Sequence, residues 1–170
     1  MDKKTQNLMF SSKTDEWETP ETIFNKLNQR YKFTLDPCAS VHNAKCTKYF
    51  TKEDDGLTKS WKDQVVFVNP PYSNVKEWVA KSHQEATSNG ATVVMLIPSR
   101  TDTRYWHDYI MSGADKIYFV KGRLKFGNKD HQNKNSAPFP SAIIVFGENN
   151  LIGYTSGPKI YSMDRNYGRI

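Results

Sequence analysis

Residues 65–72 read Val-Val-Phe-Val-Asn-Pro-Pro-Tyr, a short apolar run that leads directly into an amide, two prolines and an aromatic ring. An uninterrupted apolar run of this length predicts a central parallel strand that is covered on both faces. The two prolines cannot donate hydrogen bonds to a neighbouring strand, so we expect the chain to leave the sheet after Val68. Open α/β sheets bind their ligands at the carboxyl ends of their strands, and Asn69 stands at such an end.

The segments on either side of this strand alternate between helix and strand patterns. A capping hydroxyl, a proline and a carboxylate at Thr19-Pro20-Glu21 predict the start of a helix that continues to Tyr31. Further helices are predicted at 75–88 and 102–111, and further strands at 33–35, 48–51, 92–97, 117–120 and 142–146, the last two pairing at one edge. This alternation predicts an α/β domain with a mainly parallel, doubly wound sheet.

The chain length of 170 residues suits one domain with a hydrophobic core. We expect a polar N-terminal segment at 1–16, the domain at 17–147, and a basic and aromatic C-terminal tail at 148–170. A polar stretch at 127–140 separates the last two predicted strands, and loops of that length inside a compact domain are usually functional or disordered.

Composition limits the classes of function. The formal net charge of +6 is compatible with a polyanionic partner, although charge alone does not establish one. The longest apolar run, residues 93–97, is far too short to span a membrane, and the first residues lack a signal-peptide pattern, so we expect a cytoplasmic protein without membrane contact. Cys38 and Cys46 match no zinc-binding spacing and are expected to be free thiols, without a metal site.

The residues from Asn69 to Tyr72 have the chemistry to hold a planar ring that carries an amine. The exocyclic amine of a nucleobase is a poor nucleophile because its lone pair is conjugated with the ring. Two acceptors around its hydrogens, the side-chain oxygen of Asn69 and the carbonyl of Pro70, would localise that lone pair. Pro71 adds no N–H donor here, and Tyr72 can stack on the ring, so catalysis would depend mainly on positioning.

Two acidic residues precede this motif. Asp36 ends a predicted strand and is followed by small residues, a pattern that suits a ligand with ammonium or hydroxyl groups, although Asp-Pro also simply terminates strands. In Asp55-Gly56-Leu57, the carboxylate can accept a hydrogen bond from an adenine amine while Leu57 packs on the ring. A solvated acidic turn is the alternative interpretation of this second segment.

In order, the motifs Asp-Pro-Cys-Ala-Ser (36–40), Asp-Gly-Leu (55–57) and Asn-Pro-Pro-Tyr (69–72) resemble those of DNA adenine methyltransferases that use S-adenosyl-L-methionine. The chain is more closely similar to short phage-encoded, Dam-like enzymes through residues 17–20, 96–103, 122–126 and 137–141. This resemblance extends over residues 15–147 and implies a single Rossmann-like methyltransferase domain.

The functional residues of the family can be carried onto the matching positions of this chain. The resemblance implies a catalytic adenine pocket at Asn69, Pro70, Pro71 and Tyr72, and a cofactor site at Thr19, Pro20, Asp36, Pro37, Ala39, Asp55, Leu57 and Asn69. Most methyltransferases have a glycine-rich turn where this chain has residues 37–40, so the groups that hold the methionine carboxylate stay open, with Thr19 as a candidate.

The implied reaction is methylation of the exocyclic amine of adenine in double-stranded DNA, with the base flipped out of the stack. The basic residues expected to contact DNA phosphates are Arg100, Arg104, Arg123, Lys125, Lys129 and Lys134. Two alternatives stay open: an enzyme of the same fold that methylates RNA or a protein glutamine, and an inactive DNA-binding relative. The oligomeric state does not follow from the sequence.

Deleting residues 128–135 is predicted to weaken DNA binding and to flatten its dependence on salt. The deletion removes Lys129 and Lys134, so fewer counterions would be released from DNA on binding. Cofactor affinity should be unchanged, because the expected cofactor contacts lie elsewhere in the chain. A salt titration of DNA affinity for both forms, with cofactor titrations alongside, checks this expectation, and an unchanged salt slope would exclude phosphate contacts from the deleted segment.

Overall fold

The computed structural model describes residues 17–126, 136–148 and 157–164. Its strands are β1 (Leu35–Asp36), β2 (Lys48–Tyr49), β3 (Val65–Val68), β4 (Thr92–Pro98), β5 (Lys116–Lys121), β6 (Ser141–Phe146) and β7 (Lys159–Asp164). Its helices are α1 (Glu21–Tyr31), α2 (Val75–Asn89) and α3 (Met111–Gly113), with a 3-10 turn at Tyr72–Asn74 and a π-helical stretch at Trp106–Ile110. The apolar run of the sequence coincides with β3, and α2 extends one residue past its predicted end.

Within the described residues, the strands form a seven-stranded sheet in the order β2-β1-β3-β4-β6-β5-β7. Neighbouring strands are parallel except at β6, which runs antiparallel to both β4 and β5. The predicted α/β fold with a mainly parallel sheet is therefore confirmed. Because β1, β3 and β4 run in the same direction, their carboxyl ends place Asp36, Asn69 and Ser99 along one edge of the sheet.

Helices cover both faces of the sheet, as expected for a doubly wound fold. The first core contains buried residues of α2 and of the π-helical stretch, namely Trp78, Val79, Trp106 and Ile110. The second core contains the buried face of α1, namely Ile23, Phe24 and Leu27. Val66 and Val68 belong to the first core and Phe67 to the second, so β3 is apolar without interruption because both of its faces are buried.

The predicted capping role of Thr19 is wrong. The first helical residue is Glu21, and the capping position belongs to Pro20, whose ψ of 129° is extended and whose side chain makes no capping hydrogen bond. The Pro20 carbonyl instead accepts hydrogen bonds from the backbone N–H groups of Ile23 and Phe24 at 3.0 and 3.1 Å. The Thr19 hydroxyl is thereby left for a different contact, which lies at the candidate active site.

The later elements differ from the prediction in two places. The last two predicted strands do pair, but β6 lies inside the sheet, and β7, which falls within the segment expected to be a tail, pairs with the outer side of β5. The predicted helix at 102–111 begins later, because residues 100–103 form a turn in which the Thr103 N–H and hydroxyl both donate to the Arg100 carbonyl. No helix in the described part of the chain is long and apolar enough to cross a membrane.

Candidate active site

A cavity of about 420 Å³ opens at the carboxyl edge of the sheet, where β1 and β3 end. The residues predicted to bind the cofactor line it, with the exception of Pro20; they are Thr19, Asp36, Pro37, Ala39, Asp55, Leu57 and Asn69. Pro71 also lines the cavity, whereas Pro70 is buried beside it. The structure therefore brings together three motifs that are separated by many residues in the sequence.

The side-chain amide of Asn69 is fixed by the chain that enters the domain. Its Nδ2 donates hydrogen bonds to the backbone carbonyl of Trp17 and, at 2.9 Å, to the hydroxyl of Thr19. Both N–H groups of the amide are thereby engaged, and Thr19 itself is only 5% exposed. The acceptor end, Oδ1, is left to face a donor; among the described residues its partner is the Tyr72 hydroxyl, which donates a long hydrogen bond of 3.3 Å.

Four rings, those of Trp17, Tyr72, Phe126 and Phe139, form an aromatic cluster with Tyr72 in contact with the other three. The rings of Trp17 and Tyr72 lie nearly parallel, at 17°, with centroids 6.5 Å apart. Phe126 and Phe139 meet the Tyr72 ring edge-on, at centroid distances of 6.3 and 5.2 Å. Burial raises the pKa of the Tyr72 phenol far above its usual value, so its hydroxyl stays protonated and can donate to Asn69.

Asp36 is a buried carboxylate, 5% exposed, that organises the loop after β1. Its Oδ2 accepts the backbone N–H of Lys45 at 3.1 Å and its Oδ1 accepts that of Cys38 at 3.4 Å. Burial raises the pKa of Asp36 to about 6, while these two hydrogen bonds and the charge of Lys45 act in the opposite direction. Because these contacts do not fully offset the loss of hydration, the Asp36 carboxylate is suited to accept a hydrogen bond or a cationic group from a ligand.

The loop that carries Asp55 and Leu57 is held against the loop after β1. A Cβ atom on Gly56 would lie 2.0 Å from the carbonyl oxygen of Pro37, so glycine is needed for this close approach. The indole N–H of Trp61 donates to the Gly56 carbonyl at 3.0 Å, and the backbone N–H of Trp61 donates to the buried Glu85 of α2. Asp55 is exposed and has a positive φ of 52°, a conformation that Asp tolerates in turns.

The predicted DNA contacts follow strands at the same edge of the sheet. Arg100 lies two residues after the end of β4, and Arg123 and Lys125 come after β5, where both are exposed. Arg104 is 94% exposed and lies 3.8 Å from Asp108. Lys129 and Lys134 lie outside the described residues, so their predicted role stays a prediction.

Comparison with known proteins assigns the family. The profile of the family described as DNA N-6-adenine-methyltransferase (Dam) matches residues 6–160. The chain belongs to this family. It is 29% identical over 138 residues to the DNA N-6-adenine-methyltransferase of Haemophilus phage HP1 (strain HP1c1), covering 79% of this chain and 80% of that protein.

Two further relatives match shorter parts of this Dam-family chain. The DNA N-6-adenine-methyltransferase of Escherichia phage T1 is 32% identical over 106 residues, covering 61% of this chain and 44% of that protein. Putative methyltransferase YfdM of Escherichia coli (strain K12) is 38% identical over 65 residues, covering 34% of this chain and 71% of that protein. The predicted likeness to phage-encoded, Dam-like enzymes is therefore confirmed, and with it the class of an adenine-specific DNA methyltransferase.

The sequence did not reveal every residue that builds the candidate active site of this Dam-family chain. Trp17 was recognised only as part of a matching motif, yet its carbonyl orients Asn69 and its ring faces Tyr72. Gly56 and Lys45 had no predicted role, although both line the cavity. These contacts join distant segments of the chain, so no local pattern could have indicated them.

Replacing Thr19 with valine is predicted to slow methyl transfer, because one Nδ2 hydrogen of Asn69 would lose its acceptor. Loss of such a hydrogen bond amounts to about 0.5–1.5 kcal/mol, or roughly a twofold to tenfold lower rate. Single-turnover rates at saturating cofactor and DNA measure this, and Thr19→Ser, which keeps the hydroxyl, is the matched control. Equal rates for the valine and serine variants would mean that the Trp17 carbonyl alone orients the amide.

Proposed function

We propose that this DNA adenine methyltransferase transfers the methyl group of S-adenosyl-L-methionine to the exocyclic amine of adenine in double-stranded DNA, with Asn69 and Pro70 as the acceptors that hold the amine. The orientation of the Asn69 amide carries the proposal. Because its nitrogen donates hydrogen bonds to the Trp17 carbonyl and the Thr19 hydroxyl, its oxygen is the end available to the amine of a substrate. Its DNA substrate would place the enzyme in the cytoplasm of a bacterial cell.

The cavity has the size and chemistry that this cofactor requires. A volume of about 420 Å³ lies within the range of small-molecule sites. Asp36 provides an acceptor for the ammonium or hydroxyl groups of the cofactor, Asp55 one for its adenine amine, and Leu57 an apolar wall. When bound there, the cofactor supplies a methyl group that is activated by a positively charged sulfur.

The chain would prepare the acceptor amine with two hydrogen-bond acceptors. The Asn69 oxygen and the Pro70 carbonyl accept the two N–H groups and localise the nitrogen lone pair. The Pro71 carbonyl already accepts a hydrogen bond from the Asn74 N–H at 3.1 Å. The Pro70 carbonyl is therefore favoured as the second acceptor for the substrate amine. With its lone pair localised by Asn69 and Pro70, the nitrogen would be positioned to accept the methyl group that a bound cofactor would supply, and it would release one proton to water.

The aromatic cluster would receive the flipped adenine. Tyr72 presents a ring next to Asn69, and edge-on contacts from Phe126 and Phe139 hold that ring in place. Base–aromatic stacking contributes about 1–3 kcal/mol per base, which helps to offset unstacking of the adenine from the duplex. DNA phosphates would be contacted from the same edge of the sheet by Arg100, Arg123 and Lys125. Arg104 and the sequence-predicted Lys129 and Lys134 would add further phosphate contacts.

Asn69→Ala is predicted to abolish nearly all methyl transfer and to leave cofactor affinity almost unchanged. Removal of one positioned polar group at a reacting centre lowers rates by roughly a hundredfold or more. Transfer of labelled methyl groups to duplex DNA measures the rate, and calorimetry measures cofactor affinity. Asn25→Ala, at an exposed position of α1, is the matched control.

RNA and protein acceptors belong in the same assay. Label that appears in duplex DNA as N6-methyladenine, and not in RNA or protein, supports the proposed acceptor. Preferential labelling of RNA or of a protein glutamine would contradict it. DNA binding without transfer to any acceptor would indicate an inactive relative, and full activity of Asn69→Ala would contradict the mechanism.

Cofactor affinity is predicted to increase as the pH rises from about 5 to about 7, with a midpoint near the Asp36 pKa of about 6. Below this pH the carboxyl is protonated, so binding of a cationic or donor group must first displace a proton. Asp36→Asn should show weaker binding, by about tenfold to a hundredfold, without this pH dependence. If the variant kept the same midpoint, a different group would be responsible.

A further inference from the structure

Lys45 is a cation in the wall of the cofactor cavity. Among the described residues that line this cavity, the cations are Lys45 and Lys52. Lys52 is exposed to solvent, whereas the Lys45 side chain is only 15% exposed. A lysine that is largely removed from water interacts more strongly with a charged ligand group than an exposed lysine does. Lys45 is therefore the better placed of the two to bind an anionic part of a ligand.

Lys45 and Asp36 are built into the same corner of the site. The backbone N–H of Lys45 donates to Asp36 Oδ2 at 3.1 Å, and the positive charge of Lys45 lowers the pKa of Asp36 against the larger effect of burial. The cavity wall thus offers an anion and a cation close together. The methionine end of S-adenosyl-L-methionine carries the complementary pair, an ammonium and a carboxylate on one carbon atom.

The present partner of the Lys45 ammonium is one that a ligand can replace. Lys45 Nζ pairs with a carboxylate oxygen of Glu21, which is 68% exposed, and lies 5.8 Å from the centre of the Phe24 ring. An ion pair with such an exposed partner contributes little to stability. Glu21 is also the first residue of α1, whose positive helix end favours an anion at this place and follows directly after Thr19-Pro20.

We propose that Lys45 binds the carboxylate of the methionine end of the cofactor, exchanging its contact with Glu21 for one with the ligand. The proposal rests on the proposed use of S-adenosyl-L-methionine as the methyl donor. Residues 37–40, which form the turn after β1, contain no glycine, so a side-chain cation would take the place of closely approaching backbone N–H groups. Asp36 would face the neighbouring ammonium group.

Two ligands that differ in the carboxylate alone test the assignment: S-adenosyl-L-methionine and its decarboxylated form, which keeps the amine, sulfonium and adenosine groups. Calorimetry would compare their affinities for the wild-type protein and for the variants Lys45→Met, Lys52→Met and Glu21→Gln. We expect the wild-type protein to prefer the carboxylate-bearing ligand by about tenfold to a hundredfold, the size of a hydrogen bond between charged groups. Lys45→Met should abolish this preference, leaving the affinity for the decarboxylated ligand within about twofold.

The other variants identify the source of any effect. Lys52→Met should keep the preference, because its side chain is exposed; a preference lost there and kept in Lys45→Met would overturn the proposal. Glu21→Gln should strengthen binding of the carboxylate-bearing ligand alone, because it removes the competing carboxylate.

If Lys45→Met fails to fold, the Glu21→Gln variant tests the proposal in its place, and an equal or absent effect of Glu21→Gln on the two ligands overturns the proposal. Equal weakening of both ligands by Lys45→Met would also overturn it, whereas a wild-type protein that binds neither ligand would instead contradict the proposed cofactor.

Discussion

A carboxamide has one donor end and one acceptor end, and the function proposed for Asn69 depends on which of these ends faces the cavity. The Trp17 carbonyl can only accept a hydrogen bond, so a flipped amide would place its oxygen against the oxygen of Trp17 and lose that contact. The Thr19 hydroxyl accepts the second N–H in the orientation that the carbonyl sets. Such a reversal is costly in a partly buried site. The segment that enters the domain before α1 therefore determines which end of the Asn69 amide, after β3, is left to accept a hydrogen bond.

Burial of Asp36 sets a second condition for the site. Raising its pKa from 3.8 to about 6 means that ionisation in the folded protein is disfavoured by roughly 3 kcal/mol relative to water. Two backbone N–H groups, from Cys38 and Lys45, offset part of that cost and fold the loop around the carboxylate. The same carboxylate is therefore a structural centre for the loop after β1 and an unsatisfied charge that a cationic ligand would stabilise.

Local patterns predicted the elements that do not depend on distant partners. The limits of β3 follow from an apolar run that is buried on both faces, and α2 ends at Asn89 because it is capped by Gly90, whose φ of 69° suits glycine. The start of α1 was misplaced because Thr19, a good capping residue by type, is bonded to a residue 50 positions away. The pairing of β7 with β5 was missed for the same reason, since an edge strand is defined by its neighbour.

The aromatic cluster connects these separate constraints. Phe126 and Phe139, which stand on either side of residues 127–135, both pack edge-on against the Tyr72 ring, and both also contact the Trp17 ring. Trp17 in turn fixes Asn69 through its backbone carbonyl. A displacement of any one of these segments would therefore move both the Tyr72 ring, on which we propose that a base stacks, and the Asn69 oxygen, which we propose holds its amine. For that reason binding of the base and activation of its amine are expected to depend on one shared arrangement, and substitutions in the cluster should affect both together.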